Sequence, residues 1–383
     1  MKILVLGAGL QGSACAYDLL ESPEVSTVRL ADRGFHALAP FLEARRADPR
    51  LQLITLDARD AVGVAAALEG MDGCLNALPY YFAESITGLA VAAGAHYADL
   101  GGNTDIVFRQ LDLDPEARAA GVSVIPDCGL APGMVNILAA DGMAALEETH
   151  AVRIYVGGLP KHPEPPLDYQ LVYSLEGVLD YYTTPAFVLR DGRLTEVEAL
   201  SGIEEVEFEA PVGTLEAFHT AGGVSTMPWR LEGRVPTVEY KTLRYPGHAD
   251  LVRAMRDIGL FAKEPVRGPH GDFVPRETFI AVVEPRLRRP GSPDLVALRV
   301  VVEGVREGAD TRVTYRLLDF MDEARGISAM GRTTGFSLAI IGRMQAGGVI
   351  ADAGVATPDL AVPAGAYMAA LAERGVAIDR RIE

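Results

Sequence analysis

The chain has 383 residues, of which 49% are hydrophobic and 23% charged, a composition typical of a globular protein of about two domains. Its 35 basic and 52 acidic residues give a net charge of −17, which argues against nucleic-acid and membrane partners, because phosphate backbones and anionic lipids require a basic surface. No apolar run reaches the ~18 residues that cross a bilayer, and the apolar N-terminal run is too short for a signal peptide. The cysteines form no C-x-x-C pair. We therefore expect a cytoplasmic protein without disulfides.

The first 128 residues predict a parallel, doubly wound α/β domain of the Rossmann type. Short runs that are apolar on both faces alternate with Ala-rich segments of helical period, as in successive βαβ units. The predicted strands are Ile3–Leu6, Val28–Ala31, Leu51–Leu56, Gly73–Ala77, Tyr97–Leu100 and Val122–Ile125. The predicted helices between them include Ser13–Glu21, Ala61–Glu69 and Ala83–Ala93.

Residues 129–328 predict an α+β domain with a mixed sheet. Helices are predicted at Pro132–Glu147, Ala249–Ile258 and Arg276–Leu287. Strands are predicted at Ala151–Val156, Tyr169–Tyr173, Phe187–Arg190, Glu196–Leu200, Val238–Leu243, Leu295–Glu303 and Thr311–Leu318, with hairpin turns at Asp191-Gly192 and Glu307–Asp310. We expect residues 329–383, with a helix at Thr333–Ala346, to pack back onto the first domain.

A G-x-G-x-x-G motif stands directly after the first predicted strand and opens the first predicted helix, at Gly7-Ala-Gly9-Leu10-Gln11-Gly12. Gly7 permits a tight strand-to-helix turn, Gly9 lets the backbone approach a pyrophosphate, and Gly12 lets the helix pack close to the strand. The phosphates would then lie at the positive end of the helix. The motif predicts a dinucleotide site, with a glycine turn that binds no cofactor as the alternative.

The acidic residue at the end of the second predicted strand bears on the choice of dinucleotide. Asp32 lies 20 positions after Gly12, where a carboxylate can accept hydrogen bonds from the adenosine ribose. Its charge repels a 2′-phosphate, so NAD is favoured over NADP. The neighbouring Arg33 is a counter-indication, because an arginine at this place can bind the 2′-phosphate.

Further cofactor contacts are expected where the third and fourth predicted strands end. Asp57 follows the third strand, and Asn76, Leu78 and Pro79 follow the fourth. Because ligands bind at the carboxyl ends of parallel strands, we expect Asp57 near the adenine and Asn76 near the nicotinamide. A loop polar residue or a helix cap is the alternative for each.

Several segments resemble the saccharopine dehydrogenase-like family. They are Asn76–Phe82 (NALPYYF), His96–Gly102 (HYADLGG), Asp127–Asn136 (DCGLAPGMVN), Lys241–His248 (KTLRYPGH), Tyr155–Pro160 (YVGGLP), Tyr173–Asp180 (YSLEGVLD) and Gly213–Phe218 (GTLEAF). The last three are most similar to lysine-oxidising members, and the resemblance extends from residue 1 to about residue 345.

The resemblance implies a Rossmann domain, a catalytic domain with a mixed sheet, and a homodimer. The implied reaction oxidises the ε-amine of L-lysine with NAD to 2-aminoadipate 6-semialdehyde and ammonia. Oxidoreductases of the same family that act on saccharopine or carboxynorspermidine are the nearest alternatives. A regulator that senses a dinucleotide without catalysis is a third, although no DNA-reading element supports it.

Such a substrate needs a cationic partner for its carboxylate, and the planar fork of arginine suits that group best. The resemblance implies this role for Arg244, in the T-L-R-Y segment, with Lys241 and His248 beside it. Glu176 and Asp180 are candidates for binding the α-ammonium group. A surface ion pair for the arginine, a helix start for His248 and a solvated helix face for the two acids remain the alternatives.

Amine oxidation also requires a group that accepts the proton of the ammonium and a base for water attack on the imine. The candidates are Tyr80, His96, Asp99, Asp127 and Cys128, of which His96 opens its strand at the end away from the crevice. For Tyr80 a packing aromatic, and for Cys128 a buried structural thiol, are the alternatives. No histidine or cysteine spacing predicts a metal site, and hydride transfer to a nicotinamide needs none.

Overall fold

The computed structural model describes residues 1–36, 38–171, 174–269, 271–289 and 291–383. The chain divides into two compact units. The first comprises Met1–Leu146, Val224–Met227 and Asp322–Asp379, and the second comprises Glu147–Gly223, Pro228–Met321 and Arg380–Glu383.

The strands of the described residues are given in chain order. They are β1 (Lys2–Leu6), β2 (Thr27–Asp32), β3 (Leu51–Thr55), β4 (Gly73–Asn76), β5 (His96–Asp99), β6 (Ser123–Ile125), β7 (Glu148–Pro160), β8 (Ala186–Arg190), β9 (Arg193–Val197), β10 (Glu204–Glu207), β11 (Thr214–His219), β12 (Thr237–Arg244), β13 (Val266–Gly268), β14 (Gly271–Phe273), β15 (Asp294–Arg306), β16 (Ala309–Phe320), β17 (Gly354–Val355) and β18 (Asp379–Ile382).

The helices of the same residues are also given in chain order. They are α1 (Leu10–Glu21), α2 (Pro40–Glu43), α3 (Ala61–Leu68), α4 (Ala83–Ala92), α5 (Thr104–Leu111), α6 (Asp114–Ala120), α7 (Met134–Ala144), α8 (Leu175–Thr183), α9 (Met227–Leu231), α10 (His248–Asp257), α11 (Pro275–Leu287), α12 (Phe336–Ala346), α13 (Pro358–Ala361) and α14 (Ala364–Glu373). A 3₁₀ turn at Tyr80–Phe82 precedes α4, and a π-helical turn at Gly331–Gly335 precedes α12.

The first unit contains a parallel sheet of order β17-β6-β5-β4-β1-β2-β3. The order reverses at β1, which lies between β2 and β4, so the topology is doubly wound. Strand β1 is buried from Ile3 to Leu6, as a sheet covered by helices on both faces requires. The predicted Rossmann fold is therefore confirmed.

Two helical segments from outside the first 128 residues belong to this unit. Helix α7 packs against α13 and α14, and the first compact unit continues to Leu146. Helix α12 packs against α1, while β17 extends the sheet by pairing with β6. The C-terminal segment thus completes both the sheet and one of its covering layers.

The second unit contains a nine-stranded mixed sheet with the central order β10-β11-β12-β7-β15-β16-β18. Strands β7 and β12 are parallel, whereas β15 is antiparallel to both β7 and β16. The hairpins β8–β9 and β15–β16 turn at the predicted places, with Asp191 and Glu307 at φ 49° and 54°. The predicted α+β fold with a mixed sheet is confirmed.

One predicted strand of the second unit is wrong. Residues 169–171 have no strand structure, while Val172 and Tyr173 lie outside the described residues. Tyr169 instead packs in an apolar cluster with α8, α10 and α11, among Leu179, Tyr182 and Phe261. Leu167 and Leu171, on either side of it, pack against the same cluster, so these apolar residues reflect burial in a loop and not period-two pairing in a sheet.

Candidate functional site

The turn from β1 to α1 has the close packing that a dinucleotide site requires. Gly7 has φ +95°, and a Cβ on Gly12 would lie 1.9 Å from the Gly7 carbonyl oxygen. A Cβ on Gly9, in contrast, would meet no atom of the described chain within 4 Å. Gly7 and Gly12 thus bring strand and helix together, while Gly9 leaves the outer side of the turn open for a phosphate.

We expect Gly12→Ala to abolish dinucleotide binding, because a methyl group at this position forces the Gly7 turn apart. The matched control is Gly88→Ala in α4, where a Cβ would meet nothing within 4 Å. Fluorescence titration with NADH checks both variants, with the unfolding midpoint measured alongside. Wild-type affinity in a folded Gly12→Ala protein would contradict this role of the turn.

A crevice of about 470 Å³ opens at the carboxyl ends of β1 to β4. Seven of the residues predicted to bind cofactor line it, namely Gly7, Gly9, Asp32, Arg33, Asp57, Leu78 and Pro79. Arg59, Tyr81 and Phe82 also line it and were not predicted. Leu10 lies outside this lining as an exposed residue at the start of α1, and the Gln11 Oε1 atom is buried without a hydrogen-bond partner in the described chain.

The two acidic residues of the crevice, Asp32 and Asp57, differ in whether an arginine side chain pairs with the carboxylate. The Asp32 carboxylate accepts hydrogen bonds from the backbone N–H groups of Ala8 (2.7 Å) and Gly34 (3.3 Å). Asp57 is bound by the Arg59 guanidinium at 2.5–3.1 Å, and this hydrogen bonding holds the pKa of Asp57 well below its usual range. Asp32 therefore presents the uncompensated negative charge at the end of β2, where a ribose would lie.

Asn76 does not line this crevice, contrary to the expectation that it contacts nicotinamide. Its side chain is 1% exposed and points into the unit. Nδ2 donates to the Tyr97 hydroxyl (3.0 Å), and Oδ1 accepts from Leu78 N–H (3.0 Å). Asn76 thereby shapes the turn that follows β4 and places Leu78 on the crevice wall.

Two buried carboxylates, Asp99 and Asp127, meet at the ends of β5 and β6. Asp99 accepts hydrogen bonds from the N–H groups of Gly101 (2.8 Å) and Asp127 (3.0 Å) and from Gln110 Nε2 (2.7 Å). Burial raises the pKa of Asp99, and these hydrogen bonds partly offset the rise. Asp99 is thus satisfied by the chain itself and orients the backbone of Asp127.

Asp127 has no such set of partners. It is 1% exposed, with φ 63°, and neither carboxylate oxygen has a hydrogen bond of regular geometry to the described chain. Burial and the charge of Asp99 raise the pKa of Asp127 to about 8, although the nearby Ser225 hydroxyl and Gly102 N–H act in the opposite direction. A carboxyl group whose pKa lies near the working pH is suited to general acid–base catalysis.

The remaining predicted catalytic residues fit that role less well. Cys128 is fully buried, its Sγ donates to the Ile125 carbonyl (3.2 Å), and burial raises the pKa of the thiol well above its ordinary value, as for a structural cysteine. Tyr80 is half-buried and packs edge-on against Tyr81. His96 stands at the start of β5 and bonds Ser123 through Nδ1, and burial lowers its pKa.

In the second unit, Arg244 lies in a buried cluster of aromatic and hydroxyl groups. The residue is 4% exposed, and its guanidinium stacks on the Tyr169 ring, 4.8 Å from the ring centre. Nε donates to the Tyr182 hydroxyl (3.1 Å), and Nη1 donates to the Leu243 carbonyl (2.8 Å). The Tyr169 hydroxyl is buried beside it without a regular hydrogen bond to the described chain. The cluster therefore places a buried cation among aromatic rings and hydroxyl groups.

His248 supports this cluster as a neutral side chain. Nδ1 lies 3.0 Å from the Leu167 carbonyl and must donate to it, which leaves Nε2 to accept from the Tyr182 hydroxyl at 3.1 Å. Burial and the adjacent Arg244 charge lower the pKa of His248 to about 3. The Tyr182 hydroxyl consequently donates to His248 and accepts from Arg244, so His248 orients Tyr182.

Lys241 does not share the Arg244 cluster, which corrects the expectation that the two flank one site. Side chains alternate along β12, so Lys241 and Arg244 lie on opposite faces of the sheet. The Lys241 Nζ atom instead pairs with Glu204 at 2.5 Å. The alternation of side chains along β12 could be seen in the sequence, and it was the signal that places Lys241 and Arg244 on opposite faces.

The two acidic residues of α8 are also placed differently from the expectation. Asp180 is bound by Arg276 at 2.6 Å and by Lys263 at 3.1 Å, so its charge is already neutralised. Glu176 is exposed, one helical turn before Asp180, and its carbonyl accepts from Arg276. These contacts fit a structural pairing of α8 with α11 better than an ammonium site.

Across the described ranges, no group of three His, Cys, Asp or Glu side chains is arranged to hold a metal ion. None of the helices in those ranges is both long and apolar enough to span a bilayer.

The fold and the glycine turn define a dinucleotide-binding α/β protein with a second, sheet-based unit. The family model "Saccharopine dehydrogenase NADP binding domain" matches residues 3–125, and "Saccharopine dehydrogenase C-terminal domain" matches residues 129–376. The chain therefore belongs to the saccharopine dehydrogenase family, which confirms the resemblance seen in the sequence.

Individual relatives agree with this assignment. A saccharopine dehydrogenase [NADP(+), L-glutamate-forming] of Pyricularia oryzae is 26% identical over 225 residues, which cover 55% of this chain and 48% of that protein. The chain spans about half the length of the first curated relatives it matches.

Two solved structures share the fold over the whole chain. Apo saccharopine dehydrogenase (L-Glu forming) of Saccharomyces cerevisiae has a TM-score of 0.81 at 20% identity, covering 100% of this chain and 99% of that one. The homospermidine synthase of Legionella pneumophila in complex with NAD has a TM-score of 0.70 at 13% identity, covering 100% and 91%.

Proposed function

We propose that this protein is an NAD-dependent oxidoreductase that oxidises the ε-amine of L-lysine to 2-aminoadipate 6-semialdehyde, with release of ammonia. The observation that carries the proposal is Arg244, a buried guanidinium set among aromatic and hydroxyl groups in a family that carries a dinucleotide domain. A guanidinium of this kind suits a substrate carboxylate. The ε-amine, at the far end of lysine, is then the group left to react.

The cofactor that the first unit would hold is a nicotinamide dinucleotide. The Gly7–Gly12 turn would bind its pyrophosphate, and Asp32 would bind the adenosine ribose. When bound, the nicotinamide supplies the hydride acceptor. The other steps require groups of the chain.

Asp127 is proposed to accept the proton of the ε-ammonium. Below its pKa of about 8 it is protonated and cannot accept one, so the reaction depends on its ionised form. After releasing that proton to solvent, the ionised carboxylate can take a proton from the water that attacks the imine. The nitrogen then leaves as ammonium, and the overall change consumes lysine in its ε-ammonium form, NAD and water and forms aldehyde, ammonium, NADH and a proton.

A direct assay tests the proposed substrate. NADH should form with L-lysine alone at alkaline pH, and none should form with saccharopine. Absence of turnover with lysine at alkaline pH would refute the proposal.

Oxidation of saccharopine is the second candidate, because curated relatives of this chain are named saccharopine dehydrogenases. Saccharopine carries three carboxylates, so its site requires more than one cation. Arg230 and Arg234 are the arginines that could add to Arg244, and Arg234 is exposed in the structure. Turnover of saccharopine, with none of lysine, would decide for this candidate.

The preference for NAD over NADP is proposed from Asp32, although the family model and the fungal relatives are named for NADP. We expect Asp32→Ala to lower the ratio of kcat/KM for NAD to that for NADP by ~10-fold or more, because the charge facing a 2′-phosphate is removed. Asp112→Ala is the control, since Asp112 is an exposed acid after α5 that does not line the crevice. An unchanged ratio in Asp32→Ala would contradict the preference.

A further inference from the structure

Among the buried acceptor atoms of the first unit that lack hydrogen bonds of regular geometry to the described chain, three belong to two residues that lie side by side. They are the two carboxylate oxygens of Asp127 and the Ser225 Oγ atom. Asp127 is 1% exposed and Ser225 is 7% exposed. Buried polar atoms without partners are rare and costly, so a cluster of three indicates that a ligand or solvent completes the set.

The backbone places these atoms together from distant parts of the chain. Asp127 follows β6, and Ser225 lies in the short segment Val224–Met227 that joins the first unit. Both residues have a positive φ, 63° and 51°, which a non-glycine residue adopts only when the surrounding structure enforces it. The Asn136 side chain holds the segment by donating to the Val224 carbonyl at 2.9 Å.

The space around Asp127 is also restricted. A Cβ on Gly101 would lie 1.7 Å from Asp127 Oδ1, so the glycine allows the carboxylate to lie directly against the backbone. The charged groups that raise the pKa of Asp127 are carboxylates, Asp99 at the end of β5 and Asp359 on α13, and the neighbouring Cys128 is a neutral thiol. The site is therefore buried and electronegative.

A primary ammonium group matches this site in charge and in hydrogen bonding. It carries three N–H donors, which equals the number of unpaired acceptor atoms. A divalent cation matches less well, because Mg²⁺ and Ca²⁺ take six or more oxygen ligands and the described residues hold no metal-ligating group of three side chains.

We infer that Asp127 and Ser225 form the receiving site for the primary ammonium group of the substrate. The carboxylate accepts the proton: an N–H bond breaks, an O–H bond forms on Asp127, and the electron pair stays on nitrogen. The Ser225 hydroxyl accepts a second N–H and orients the nitrogen. The site is argued from the structure alone, and only the identification of the amine as lysine rests on the proposed function.

Binding to the enzyme–NADH complex tests the site without turnover. Calorimetry with n-butylammonium chloride, against n-butanol, isolates the contribution of the ammonium, and L-lysine against L-norleucine repeats the comparison with an amino acid. We expect Asp127→Asn to weaken n-butylammonium binding by ~50-fold or more and Ser225→Gly by ~10-fold, with n-butanol binding unchanged.

The variants are chosen so that misfolding cannot hide the result. Glycine is favourable at the positive φ of Ser225, so Ser225→Gly removes the hydroxyl without adding backbone strain. Thr226→Ser, at the next position, keeps a hydroxyl and should bind all four probes as the wild type does.

The outcomes separate this site from the proposed function. Loss of n-butylammonium binding in both variants, in a protein that does not oxidise lysine, supports the site and rejects lysine as the substrate. Oxidation of lysine by the wild type, with n-butylammonium binding unchanged in both variants, overturns the site and leaves the function standing. A wild type that does not distinguish n-butylammonium from n-butanol also overturns the site.

Discussion

Replacing Arg244 by alanine is expected to lower kcat/KM for L-lysine by on the order of 10³-fold, mainly through KM, because truncation of one partner of a buried charge pair costs several kcal/mol. The guanidinium is buried and stacked on Tyr169, and alanine replaces neither its charge nor its donors. Affinity for NAD should be unchanged, since the glycine turn belongs to the other unit. Arg244→Lys should recover part of the loss, because it restores charge without the planar fork.

Lys241→Met is the matched control for this experiment. Lys241 lies three positions earlier on the same strand but on the opposite face of the sheet, paired with Glu204. Lys241→Met should therefore leave kcat/KM for lysine within ~3-fold of the wild type, because the Glu204 carboxylate that loses its partner is exposed to water. Equal losses in the two variants, or no loss in Arg244→Ala with wild-type stability, would contradict the assigned role. The second result would favour a non-catalytic dinucleotide sensor.

The second large effect is expected in the pH dependence of the reaction. Because the pKa of Asp127 is raised to about 8, kcat/KM for lysine should rise with pH through this value and fall as the carboxylate becomes protonated below it. Asp127→Asn should lower kcat by ~10²-fold or more and abolish this limb of the profile. Asp57→Ala, a change at an exposed and paired acid, should leave the profile unchanged.

Stability gives a second readout of the same group that does not depend on turnover. The folded-state pKa of Asp127 lies above its unfolded value, so its contribution to stability is full below about pH 4 and is lost as pH rises through about 8. Asp127→Asn removes this dependence. The wild type should therefore lose stability relative to the variant between these pH values, and parallel Tm curves would contradict the raised pKa.

Much of the first unit could be predicted from local sequence. The Gly7–Gly12 turn, Asp32 and the apolar strands each depend on residues close together in the chain, where turn geometry and periodicity act directly. The same local information contained the alternation of β12, which places Lys241 and Arg244 on opposite faces. Tyr169 shows the limit of such patterns, because an apolar run can be buried in a loop as well as in a strand.

The chemistry of the candidate site depended on contacts between distant residues. Asp127 and Cys128 are adjacent in sequence, and both were candidates for proton transfer. What distinguishes Asp127 is its surroundings. Asp99, 28 residues earlier, and Ser225, far later in the chain, lie beside the Asp127 carboxylate. By itself the sequence determined a dinucleotide-binding α/β fold and a family. Only the tertiary structure decided which acid is left buried and unpaired, because desolvation and charge coupling act through space between residues that no local pattern connects.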